Sequence, residues 1–136
     1  MTFEDAAASL PNGFHDAELL RFEMDYVQRR LQFDLVLWIG DMDDSRSREI
    51  YRRARLTLER VAFLVVEPPD SSYPWSKADR ISIDAGVGQP KQSSSVLPTV
   101  PPDTSPAWIY LEELNAFLLF SAGNASLEWT GPEESR

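Results

Sequence analysis

Two period-two runs fill residues 18–38, ELLRFEMDYVQRRLQFDLVLW, and constrain the fold more than any other stretch. Leu20, Phe22, Met24 and Tyr26 alternate with Leu19, Arg21, Glu23 and Asp25. Leu31, Phe33, Leu35 and Leu37 then alternate with Arg30, Gln32, Asp34, Val36 and Trp38. Successive side chains of a strand point to opposite faces, so this alternation predicts two half-buried strands. Val27, Gln28 and Arg29 lie between them and predict a short antiparallel hairpin. Val36 and Trp38 make the outer face of the second strand apolar near its end, so another element is expected to cover it.

The rest of the chain reads as additions to this pair. Residues 3–10 predict a short helix, with Thr2 as its cap, Asp5 three places later, and Phe3, Ala6, Ala7 and Leu10 facing inward. Pro11 ends it and Asn12-Gly13 turns the chain. Gly40 closes the second strand, and 41–49 is a polar connection. Residues 54–66 predict one long strand, or two with a bulge near Arg60, whose apolar end is expected to be covered on both faces and so to complement the apolar end of strand two. Pro68-Pro69 stop it. A short strand follows at 80–84, with Ile81 and Ile83 inward. The segment 89–107 holds five prolines and four serines and is expected to be a flexible excursion or a binding loop, with Val96, Leu97 and Val100 touching the body. Strands are predicted at 108–112, 115–121 and 125–130, with a turn at Gly123-Asn124 and a frayed tail at 131–136, although 108–121 also shows helical spacing. Six or seven strands with little helix predict a single, mainly β domain over 1–136. It is an antiparallel two-layer sandwich or a strongly curved sheet, with a short N-terminal helix.

Charge and cysteine content narrow the chemistry. The formal net charge is −9, which disfavours nucleic acid and anionic lipid and suits solubility or a basic protein partner. With no cysteine, disulfides, thiolate metal sites and cysteine nucleophiles are excluded, and a reducing, cytoplasmic setting is compatible. The start, MTFEDAAASL, lacks a basic segment followed by an apolar core, so no secretory signal is expected, and no apolar run is long enough to span a membrane.

His15 and Asp16 pair the only histidine with an acid. An acid–base site needs the acid to orient the imidazole while a substrate or nucleophile reaches its other nitrogen. A structural tie at the start of the first strand is the competing reading, and no catalytic residue is assigned. Asp41, Asp43, Asp44 and Glu49 place oxygens in a loop, as calcium needs, but the loop lacks an EF-hand's glycine and spacing and carries Arg46 and Arg48. A solvated turn is expected there, with no metal or cofactor. Arg21, Glu23, Asp25 and Asp34 read as cross-strand surface charges. Arg52, Arg53, Arg55 and Arg60 form a local basic cluster expected to pair internally. Tyr73 and Trp75, in a proline-bearing loop, either anchor a partner or pack at the rim.

Gly13-Phe14-His15-Asp16-Ala17-Glu18-Leu19-Leu20, with Phe22-Glu23-Met24-Asp25-Tyr26 and the charged turn after it, resembles the start of a group of small bacterial proteins. In these a His-Asp-Ala/Gly-x-Leu segment feeds a β-hairpin, and some look like polymorphic-toxin immunity proteins of the immunity protein 50 type. The resemblance covers residues 12–38, and the proline-rich 89–107 has no counterpart in it. It implies no enzyme activity, cofactor or catalytic residue. It implies occlusion of a protein partner by an acidic surface. The expected function is therefore a noncatalytic protein-binding module, with a small-ligand or enzymatic domain using a pocket near His15 as the alternative. Homodimerisation is compatible with both.

Overall fold

The computed structural model describes residues 1–136. Helix α1 spans Phe3–Ala8. Strands follow at Ala17–Asp25 (β1), Arg30–Trp38 (β2), Ile50–Glu59 (β3), Phe63–Val66 (β4), Ser82–Val87 (β5), Ser105–Leu111 (β6), Ala116–Ala122 (β7) and Asn124–Ser135 (β8). All eight belong to one antiparallel sheet in the order β4-β7-β6-β5-β1-β2-β3-β8. Of the two expected architectures, the strongly curved sheet is the one formed.

Two corners account for the curl. After β3 the chain turns at Arg60, in the left-handed region at φ 50°, and re-enters as β4 at the opposite end of the sheet. On the partner side β7 passes into β8 through Gly123 alone. Gly123 N–H donates to Glu59 O at 3.0 Å and Ala62 N–H to Ser121 O at 2.8 Å, so the hydrogen bonding runs across both corners. The Arg60 guanidinium lies over Gly123, where any Cβ would overlap it, and its Nη2 donates to Gly123 O at 2.9 Å. The sheet is not closed into a barrel, because its ends meet only at these corners. The predicted bulge near Arg60 is thus a corner, and the predicted turn at Gly123-Asn124 joins strands that are not neighbours. The end of the 54–66 run is not covered on both faces, since Val66 is 53% exposed.

The concave side holds the core. Leu31, Phe33, Leu35 and Leu37 of β2 are all at most 1% exposed, as their alternation requires. Opposite them stand Ile109 of β6 and Leu118 and Phe120 of β7, equally buried. Helix α1 closes one end: Phe3 stacks on Phe14 with centroids 5.1 Å apart and meets Phe120 edge-on at 5.4 Å. The Thr2–Asp5 capping box forms as the sequence predicts. The N-terminal ammonium donates to Asn124 Oδ1 at 2.9 Å, fixing the helix to the start of β8.

Several details differ from expectation. In β1 the register shifts between Leu19 and Arg21, so Leu19, Phe22 and Met24 pack on the core while Leu20 is turned out and 43% exposed. A bulge places two consecutive residues opposite one and reverses the alternation beyond it, which strict period two does not foresee. Tyr26 falls in the hairpin loop and is exposed. Residues 105–107, expected in the proline-rich excursion, begin β6. The tail expected to fray continues β8 to Ser135, paired with Ile50, because β3 starts early enough to offer it a partner. No helix is long and apolar enough to cross a membrane.

Candidate functional site

β1 is paired unequally along its two sides. Its β2 side is bonded from Glu18 to Asp25. Its other side meets β5 only at Ala17 and Glu18, with one further bond from Leu19 N–H to Ile81 O at 2.8 Å. From Leu20 onward that edge has no strand partner. Backbone N–H and C=O groups on such an edge are a template for an added strand.

Beside this open edge runs a groove of about 420 Å³. Leu19, Leu20, Arg21 and Phe22 of β1 form one wall, and Val66, Pro68, Pro69, Trp75 and Ile81 the other. Leu111, Leu114 and Leu118 close its inner end. Pro68 and Pro69 have no N–H, so they offer β1 no backbone donor. Leu20, Val66 and Trp75 stand 43%, 53% and 65% exposed at its mouth. Large apolar groups held this far in solvent around one concavity mark a contact surface.

Glu67 lies in the same groove and organises its far wall. Its Oε1 accepts Phe117 N–H at 2.8 Å, and its Oε2 accepts the hydroxyls of Ser93 and Ser95, each at 2.7 Å. Burial opposes its ionisation, but the two serine hydroxyls and the Phe117 and Ser95 backbone outweigh that and hold the carboxyl below its usual value of 4.5. The middle of the Pro/Ser-rich segment is thereby tied to the end of β4. Leu97 and Val100 are half-buried, whereas Val96, expected to touch the body, is 89% exposed. Since the folded-state value is lowered, this stabilisation is complete above about pH 4.5 and is lost as pH falls through the folded value. Glu67→Gln should therefore show a shallower loss of stability between pH 5 and pH 3 than the parent. Urea titrations across that range measure it, and parallel slopes would refute it.

The aromatic pair predicted in the proline-bearing loop is divided by the fold. Trp75 starts a single turn of 3-10 helix and borders the groove. Tyr73, 45% exposed, lines a separate hollow with Pro74, Lys77, Ala78 and Glu113.

His15 lies elsewhere, lining a 270 Å³ hollow that also includes Phe3, Asn12, Phe14, Asp84 and Val87, and Asp16 follows it outside that lining. The His15 side chain is 57% exposed. Its Nε2 is 3.4 Å from Asp16 Oδ2 and its Nδ1 3.6 Å from Asp84 Oδ1. A carboxylate thus faces each nitrogen, and the lining contains no serine, threonine, tyrosine or lysine to serve as nucleophile. Both distances are too long for well-formed hydrogen bonds. The residues that anchor the start of β1 are Asn12 and Phe14. Asn12 Nδ2 donates to Trp38 O at 3.1 Å and to Gly40 O at 2.8 Å, and Phe14 is 3% exposed against Phe3. Asp16 contributes its backbone, with φ 55° at the turn into the strand.

The remaining charged candidates hold local structure. Asp41 Oδ1 accepts Asp43 N–H and Asp44 Oδ1 accepts Arg46 N–H, closing the 41–48 turn. No three histidine or acidic side chains are grouped so as to hold a metal ion. Arg55 Nε bonds Asp34 Oδ1 at 2.8 Å and Arg21 lies between Glu23 and Asp34 on the outer face, while Arg30 meets Glu59 at 3.8 Å. Arg52 covers the Trp129 ring at 4.6 Å.

No family model matches the chain, and comparison with curated proteins and with solved structures found no significant match. The sequence missed Leu20, Val66 and Glu67. The signal for Glu67 was present: a lone acid between an apolar run and Pro68-Pro69 is poorly placed unless donors converge on it.

Proposed function

We propose that this chain is a protein-binding module that receives an extended apolar segment in the groove along β1. One observation carries the reading: an unpaired strand edge and exposed Leu20, Val66 and Trp75 border the same concavity. An added strand satisfies edge backbone groups and sets alternate side chains into pockets, a recurring mode of peptide recognition. The net charge of −9 favours a segment with basic flanks. This reading is noncatalytic and needs no cofactor.

The resemblance at 12–38 supplies a concrete partner class. On an immunity-like reading, the bound segment belongs to a toxin that is silenced by occlusion. A second copy of the chain is the competing occupant, and solution mass separates the two.

Random peptides displayed on phage and selected on the purified protein test the site. Selected sequences should alternate apolar and polar residues with lysine or arginine at the ends. Trp75→Ala should weaken them about tenfold, about 1.4 kcal/mol, without altering thermal stability. Peptides that bind Trp75→Ala as well as the parent would remove the groove as the site.

A further inference from the structure

On the outer face of the sheet, opposite the core, three aromatic rings from two strands share one hollow. Ala107, Ile109 and Leu111 of β6 point inward and are buried, which leaves Trp108 and Tyr110 on the outer side. Tyr110 pairs with Phe117 of β7 on one side and with Asp84 of β5 on the other. A carboxylate and two rings thus stand in one row across three strands, with Trp108 two residues along. Phe117 is 5.6 Å from Trp108 at an interplanar angle of 80°, and 4.8 Å from Tyr110 at 46°. Gln92, from the segment tied to Glu67, and Asn115 complete the lining of a 320 Å³ hollow.

The ligand chemistry follows from these groups. Ring faces carry the negative part of the aromatic quadrupole and attract a cation within about 6 Å. Asp84 adds a full negative charge, and its one hydrogen bond, from Ala85 N–H at 2.9 Å, is taken at Oδ1. The Tyr110 hydroxyl donates to Asn115 Oδ1 at 2.6 Å, so its proton is already committed. No lysine or arginine lines the hollow, and His15 Nδ1, outside the lining, stands 3.6 Å from Asp84 Oδ1. More negative charge lies close by. Burial, followed by the charges of Asp16, Glu113 and Asp84, raises the Glu112 carboxyl above its usual range. A bare ammonium or metal ion would need several oxygen donors to replace its water, and here one carboxylate and two side-chain amides are set among apolar rings. A methylated ammonium is weakly hydrated and suits such walls.

We propose that Asp84, Trp108, Tyr110 and Phe117 form a binding site for a methylated ammonium group, either a free small molecule or a methylated lysine side chain. The hollow shares no lining residue with the groove, and the proposal does not rest on the groove's reading as a peptide site.

Titration of the isotopically labelled protein with choline, its neutral carbon isostere 3,3-dimethylbutanol, and a short peptide bearing trimethyl-lysine or plain lysine tests the proposal. The Trp108 indole and Phe117 ring signals should shift saturably with choline or with the trimethyl-lysine peptide. The isostere and the plain-lysine peptide should bind about tenfold more weakly. Tighter binding of choline assigns a free small molecule; tighter binding of the methylated peptide assigns a protein ligand. Asp84→Asn and Tyr110→Leu should each weaken binding about tenfold, with thermal unfolding confirming that both variants are folded. The absence of a saturable shift with either cation, equal binding of the neutral isostere, or undiminished binding to a folded Asp84→Asn would each overturn the proposal.

Discussion

Phe120→Ala is expected to lower the folding free energy by about 3–5 kcal/mol. Phe120 is 1% exposed and sits where both ends of the sheet and the helix converge. Its ring is 5.8 Å from Phe33 and 5.4 Å from Phe3. Phe33 belongs to β2, and β6, β5 and β1 separate it from β7 in the sheet order. A flat sheet would hold these two rings far apart, so their contact exists only because the sheet curls over its own concave face. Truncation to alanine would leave a cavity walled by three elements that backbone hydrogen bonds hold in place, and such a site collapses poorly. Chemical denaturation with an unchanged dependence on denaturant is the appropriate measurement. A loss below about 1.5 kcal/mol would mean that the two rings do not share one interior.

Gly40→Ala should cost about 2–3 kcal/mol, although the residue lies at the end of a strand and the substitution adds one methyl group. A Cβ at Gly40 would overlap the main-chain carbonyl oxygens of Ser47 and Arg48. Backbone cannot rotate aside as a side chain does, so the 41–48 turn must move as a body. Three interactions depend on its position. Asp41 N–H donates to Ser47 O at 3.2 Å, the Trp38 indole donates to Arg48 O at 2.6 Å, and Asn12 donates to Gly40 O at 2.8 Å. The last of these joins the chain after α1 to the end of β2. Loss of stability should therefore appear together with a changed Trp38 fluorescence environment. An unchanged unfolding midpoint would contradict the tight packing of this turn.

Alternation made the fold legible where one face is dry and the other wet. Leu31 to Leu37 of β2 and Ile83 of β5 were placed by period two alone. The capping box at Thr2 was legible because its residues interact locally. The curl was not. It depends on left-handed Arg60 and on a guanidinium lying over Gly123, which is a pairing across 63 positions of sequence. Leu20 was assigned inward because a bulge leaves no signature when both residues flanking the shift are apolar or amphipathic. His15-Asp16 drew attention as a unique pair, yet the side chains doing the anchoring are Asn12 and Phe14, whose partners lie in β2 and α1. The groove was half legible. Trp75 stood out as an aromatic in a loop, but the open edge facing it exists only because β5 leaves β1 after two register pairs.

That open edge is the feature on which the account turns, and native-state hydrogen exchange resolved by residue measures it directly. Leu19, bonded to Ile81, should be protected, and so should the β1 amides that face β2. The alternate amides between Leu20 and Asp25 that face away from β2 should exchange at rates close to those of an exposed chain, and should gain protection only when a selected peptide is bound. Protection of every β1 amide in the free protein at concentrations where it is monomeric would show the edge already paired, and would contradict the account.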